Sequence, residues 1–264
     1  YVVPKLDRAY TDAHHAAFAK VPGFAAAMRG TIWETTELLG FALTKAAPLA
    51  RVLKTLALSN LKRHIKDPVL RAKLTPDYPI GCKRVLFSSE WYQALACDNV
   101  DVETTAITEV APTGVRTADG RLHEVDVIIY GTGFKATEFL APMKITGRGG
   151  RDLHTEWAEG ARAHLGMAVP GFPNMFLIYG PNTNLGSSSI ILMMEQQSRY
   201  IRQIVQELAR GGKTRAFEVR RDVEQAYDSG VQSRLERGVW TTCDSWYRTE
   251  SGRVTTNWPG LVHE

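Results

Sequence analysis

The sequence predicts an α/β protein, and three observations carry that expectation. From Asp12 to about Lys73 apolar residues recur at three- and four-residue spacing; after residue 78 the period shortens to that of strands; and a long amphipathic stretch closes on Gly211-Gly212. Helices thus lead, strands follow and a helix returns.

The first region places Ile32, Trp33, Leu38, Leu39 and Leu43, then Leu49, Val52, Leu53, Leu56, Leu61 and Ile65 on helical faces, with breaks expected at Gly30 and Pro48. Asp67-Pro68 opens another short helix, because proline suits a first turn and aspartate can cap it. Thr75-Pro76-Asp77-Tyr78-Pro79 ends the region and marks a boundary. The segments "KRVLFS", "VDVET", "ITEVAPTGVRTADGRLHEV" and "VDVIIYG" read as strands, with tight turns at Pro112-Thr113-Gly114 and Ala118-Asp119-Gly120. "SEWYQALACDN" reads as a short helix between the first two. Then come a glycine-rich turn from Gly147 to Gly150, a short strand at "MFLIYG", and a helix from about Ser187 to Arg210.

A chain of 264 residues, 44% hydrophobic and 23% charged, can bury a large core and reads as soluble and globular. Its charge of +4 comes from 32 basic and 28 acidic residues spread along the chain, so no basic stripe points to nucleic acid. Cys82, Cys97 and Cys243 are few, odd in number and lack C-x-x-C spacing, which indicates neither a disulfide framework nor a zinc site. A reducing compartment, the cytoplasm, is the default. His14, His15, His64, His123, His154, His164 and His263 show no ligand spacing, so no metal is expected, and no G-x-S-x-G elbow suggests a hydrolase. The most apolar stretch, "LLGFALTKAAPLARVLKTLAL", is broken by Lys45, Pro48, Arg51 and Lys54, which excludes a membrane span and leaves peripheral contact as the remaining membrane role. Tyr1 in place of Met, and an opening without a polar tail, suggest a fragment.

Two motifs invite a nucleotide. Gly131-Thr132-Gly133-Phe134-Lys135-Ala136 fits G-x-G-x-x-A after an apolar run, but only "FKATEFLA" separates it from Pro142, too little for a crossover helix. A strand ending in a tight glycine turn explains those residues equally well. Gly180-Pro181-Asn182 follows a second apolar run, and Ser187-Ser188-Ser189 begins the long helix, whose free N–H groups could receive an anion. Ordinary serine capping is the competing account.

Taken in order, "DVIIYGTGF", "HLGMAVPGFPNMFLIYGPNTN" and "CDSWYRTESGRVTTNWPG" resemble the C-terminal half of class B flavoprotein monooxygenases, most closely the Baeyer-Villiger monooxygenases. The resemblance covers nearly the whole chain. It implies the C-terminal portion of a flavoprotein with two dinucleotide-binding, Rossmann-like domains and a helical insertion, using FAD and NADP. Residues 1–78 would be the insertion, 79–125 the returning part of the NADP domain, and 126–264 the C-terminal part of the FAD domain. Gly131, Thr132, Gly133 and Phe134 would then be the turn where the chain re-enters the FAD domain, their fingerprint match accidental. Glycine there implies close backbone approach to a neighbour or ligand.

The same resemblance gives roles to single residues. Arg84 would hold the negative charge of the activated oxygen, a task for a permanently charged guanidinium that supplies no proton, with Lys83 supporting it on the NADP side. Trp246 would contact the NADP ribose, and Trp258 would be structural. Gly180, Asn182, Asn184, Ser187 and Ser188 would lie near the flavin ring or line the substrate pocket. The implied partners are O2, a ketone or soft heteroatom substrate, and the missing N-terminal half supplied in cis or in trans. The two pyrophosphate loops, the family signature and the aspartate partner of the arginine all belong to that half. The isolated chain is therefore not expected to catalyse, and a non-catalytic truncated or split chain that binds such a partner is the alternative.

Overall fold

A computed structural model describes residues 1–5, 9–44, 47–212 and 216–262; Lys45 and His263 lie outside these. The helical region contains α1 (Asp12–Lys20), α2 (Phe24–Thr44), α3 (Ala47–His64) and α4 (Pro68–Leu74). Gly30 does not break it. It sits inside α2, where nothing approaches its Cα and the flanking residues are good helix formers, so its flexibility is outvoted. Pro48, by contrast, lies in the first turn of α3, the place a proline tolerates. The Asp67 carboxylate accepts the N–H groups of Val69 and Leu70 at 3.0 Å each, so α4 starts where the aspartate-proline pair predicts. Those two bonds also hold the Asp67 carboxyl below its ordinary pKa.

The chain begins as β1 (Val2–Val3), which pairs in parallel with β2 (Leu86–Phe87). The helices from α1 to α4 therefore leave and rejoin one small sheet. Val2 packs on Leu61 of α3, on Ile65 just past its end and on Tyr92 of α5 (Trp91–Leu95), while Tyr1 packs with Ala57 and Ile80. A three-stranded antiparallel sheet follows, β3 (Ile107–Ala111), β4 (Gly114–Thr117) and β5 (Leu122–Glu124), with turns at the predicted glycines.

Three predicted strands form no ladder. "VDVET", "VDVIIYG" and "MFLIYG" run without regular pairing, because a strand is completed by its neighbour and no described residue lies alongside as one. The second is the most exposed: Ile129 is 90% and Phe134 100% accessible. Apolar pattern without burial means that this face finds no cover within the described chain.

The C-terminal part has two cores. One joins Leu153 of α6 (Leu153–Glu156) to Trp157, Ala161, Ala163, Val169 and Phe172; the other joins Val231 and Leu235 of α8 (Arg221–Glu236) to Trp240, Tyr247 and Val254. The helix α8 escapes the motif-based reading, although Tyr227, Val231 and Leu235 repeat every fourth residue and Asp222 and Glu224 suit its first turn. The helix α7 (Ile190–Ala209) matches the predicted long helix and stops at Gly211, whose φ of 72° admits a residue without Cβ most easily. Among the described residues, no helix is long and apolar enough to cross a membrane.

The cysteine reading is overturned. Cys82 and Cys243 form a disulfide across 161 residues, with Cα atoms 6.1 Å apart, leaving Cys97 free and exposed. Only the fold brings the two together, and no local spacing rule reaches that far.

Candidate functional site

Arg84 follows buried Cys82 and precedes β2, at the wall of a small pocket. Four stretches meet there: Glu37 and Gly40 of α2, the Arg84 segment, residues 185–188 ahead of α7, and a C-terminal strap bearing Trp240, Tyr247 and Trp258. The cavity measures about 30 Å³, room for about one water-sized group. A whole ketone would not fit.

Helix α2 comes this close because Gly40 lacks a side chain: a Cβ there would meet the Ser187 Oγ at 2.5 Å. One turn earlier, Thr36 Oγ1 lies 3.2 Å from the Ser188 Oγ. The serines ahead of α7 are thus held against the helical region, and the Ser189 side chain makes no capping bond. Glu37 is buried, and its carboxylate accepts the Val262 N–H at 3.0 Å and 3.2 Å, tying the end of the strap to α2.

Among the described residues, no carboxylate lies within ion-pair distance of Arg84. Its guanidinium is exposed toward the pocket's surroundings, and its charge reaches Tyr247. Burial raises the Tyr247 pKa, while the positive charge of Arg84 acts in the opposite direction. An unneutralised cation beside aromatic walls suits a small anionic group.

The other predicted residues divide. Lys83 turns away from the pocket, its Nζ 4.8 Å from the centre of the Tyr78 ring. Trp246 is half exposed and packs at 4.1 Å between ring centres on Tyr247, so it stands one residue outside the pocket wall. Gly131, Thr132, Gly133 and Phe134 are all exposed, and an added Cβ at either glycine would meet nothing within 4 Å. The close approach expected of these glycines is not made by the described chain. No helix follows them either, which fits an accidental fingerprint.

Gly180, Asn182 and Asn184 belong to a different arrangement. Asn182 is buried at φ 56°, and its Nδ2 donates to the carbonyls of Val254 at 2.9 Å and Asn257 at 3.0 Å. The N–H groups of Asn182 and Asn184 donate to Thr255 and Thr256, and the N–H of Trp258 returns a bond to the Asn184 carbonyl. Asn184 Nδ2 donates to Asn257 Oδ1 at 2.7 Å, while its own Oδ1 accepts from the Tyr179 hydroxyl at 2.9 Å. At Gly180 the backbone meets the Gly166 carbonyl so closely that a Cβ would collide. These amides clasp the loop before α7 to the C-terminal strap.

Sequence reasoning missed Glu37, Gly40, Trp240 and Tyr247 as pocket residues. The signals were present as the second acid of "WETTELLG", which falls on the apolar face of the helix, and an aromatic cluster from Trp240 to Trp258.

No protein-family model matches the chain. It is 42% identical, over its full length, to a Baeyer-Villiger monooxygenase of Streptomyces coelicolor, and 39% identical over 99% of its length to one of Pseudomonas aeruginosa. The chain spans about half the length of these relatives, 51% and 50%. The crystal structure of OTEMO in complex with FAD and NADP superposes on 82% of this chain, 42% of its own, with a TM-score of 0.71 and 28% identity.

Proposed function

Because the chain belongs to the Baeyer-Villiger group of class B flavoprotein monooxygenases, we propose that it forms the C-terminal half of an oxygenase using FAD and NADPH. The complete enzyme would place one atom of O2 beside a ketone carbonyl or on a soft heteroatom, and reduce the other to water at the expense of NADPH. The observation that carries this reading is Arg84: an arginine with no carboxylate partner among the described residues, beside a pocket of about 30 Å³.

The residues present fit the two cofactors as one side of a shared site. Exposed Gly131 and Gly133 leave their backbone open to a group held from outside the chain, and Trp246 offers a half-exposed indole with its N–H available beside the Arg84 pocket. Bound FAD would supply the two electrons taken from NADPH and the activation of O2. Arg84 would stabilise negative charge on the reacting oxygen with a guanidinium that holds its charge and supplies no proton. Lys83, its ammonium steadied by Tyr78, would help hold NADP. Trp246 would hold the ribose, and the clasp of Asn182 and Asn184 keeps Ser187 and Ser188 at the pocket wall. The small cavity takes the oxygen-bearing group, while the ketone body is housed by the half not contained here. The division into 1–78, 79–125 and 126–264, and a cytoplasmic location, are parts of the same reading.

The exposed strip around Ile129 supports one alternative, a non-catalytic chain that binds a partner carrying the dinucleotide loops. Arg84→Ala in the full-length protein separates the two. On the oxygenase reading NADPH is still oxidised, but oxygenated product falls by about 10²- to 10³-fold, followed by gas chromatography of ketone and ester. Undiminished ester from this variant would remove Arg84 from the mechanism.

A further inference from the structure

We propose that the Cys82–Cys243 disulfide is a redox-responsive clamp that positions Arg84 against the C-terminal strap; its catalytic consequence rests on the oxygenase reading. Cys82 is buried two residues before Arg84, and Cys243 lies between Trp240 and Tyr247, both in the wall of the Arg84 pocket. The two sides are otherwise anchored apart. Leu86 and Ser88 donate to Tyr1 and Val3 in the β1–β2 sheet, while Trp240 and Tyr247 pack on Val231 and Leu235 of α8. No hydrogen bond among the described residues joins 79–88 to 238–262, so the disulfide is the bonded link across this seam.

The bond is also approachable from one side only. Cys82 is fully buried and Cys243 is partly exposed, so an attacking thiolate meets the Cys243 sulfur and expels Cys82 as the leaving thiolate. The second thiol of a dithiol then attacks the mixed disulfide and frees Cys243. The dithiol is oxidised to its disulfide, and its two electrons and two protons appear in two cysteine thiols. Intracellular disulfides are commonly of this cycling kind. Reduction lets residues 240–247 part from the Arg84 segment while 254–262 stay tied to Asn182, Asn184 and Glu37, and a guanidinium displaced by about 1 Å no longer meets the charge it must hold.

The test uses the full-length protein, purified without reductant and alkylated before digestion. A linked peptide pair containing Cys82 and Cys243 is expected; both residues recovered alkylated would overturn the proposal. Dithiothreitol should then raise tryptic cutting at Arg237 and Arg248, which flank the 238–247 part of the strap that carries Cys243, and unchanged cutting would equally overturn it. In turnover, reduction should lower product formed per NADPH oxidised by at least about threefold, reversed on reoxidation. A Cys82→Ser/Cys243→Ser variant should stay at the reduced value whatever the reductant. If the linked pair and the cutting respond but neither redox form yields oxygenated product, the clamp stands and the oxygenase reading falls.

Discussion

Glu156 shows what a paired charge does in this chain, and by contrast what Arg84 is left able to do. Its carboxylate accepts from Arg221 Nη1 at 2.6 Å and has Arg151 at 3.4 Å and Arg162 at 3.9 Å, and the Arg221 bond chiefly lowers its pKa. A lowered folded pKa contributes stability that is complete above the unfolded value and disappears as pH falls through the folded one. Glu156→Gln should therefore cost about 1–2 kcal/mol at neutral pH, and the gap to wild type should close on acidification below the ordinary carboxylate range, measured by urea unfolding at both pH values. Arg84 has no such partner among the described residues, so its charge is left for another use. In sequence Arg84 was recognisable only through the motifs around it, since a lysine-arginine pair at a strand start looks like ordinary solvated surface. Glu37 was harder still: nothing local says that its carboxylate will cap a strap 225 residues away.

Among the elements, the clasp between 182–184 and 254–258 has the sharpest requirement for particular atoms. Asn182→Ala leaves the carbonyls of Val254 and Asn257 without their donor and puts a Cβ-bearing residue with no side-chain amide at φ 56°. The expected cost is about 2–4 kcal/mol in the unfolding free energy from urea titration, and Asn182→Gly should recover only the conformational part, about 1 kcal/mol. Elements that carry their own hydrogen bonds were the legible ones: α3 and α7 announce themselves by period, α4 by its cap, and α2 by period apart from the break expected at Gly30. The runs "VDVIIYG" and "MFLIYG" have a strand's composition but no ladder, because strand pairing is settled by a neighbour and not by the run itself. The α8 helix is legible in the four-residue repeat of Tyr227, Val231 and Leu235, although no motif marks its start.

At the scale of the whole molecule, the apolar strip from Val127 to Phe134 is the chief irregularity, since a folded surface seldom leaves so many large side chains uncovered in one run. The 264-residue chain made alone should self-associate through it. Ile129→Lys should lower light scattering at micromolar concentration without changing helix content by circular dichroism, because Ile129 touches no core that the chain itself builds. The fold class and the order of motifs reached this scale from sequence, whereas the seam between the Arg84 segment and the strap did not, for it depends on residues 161 apart. That same linkage makes residues 82 to 243 a closed covalent ring. One peptide bond cut anywhere on the ring opens it without releasing a piece. Nicked molecules would therefore keep their full mass on a non-reducing gel and fall into two bands only when thiol is added, so damage to this chain could accumulate unseen by any assay run in oxidising buffer.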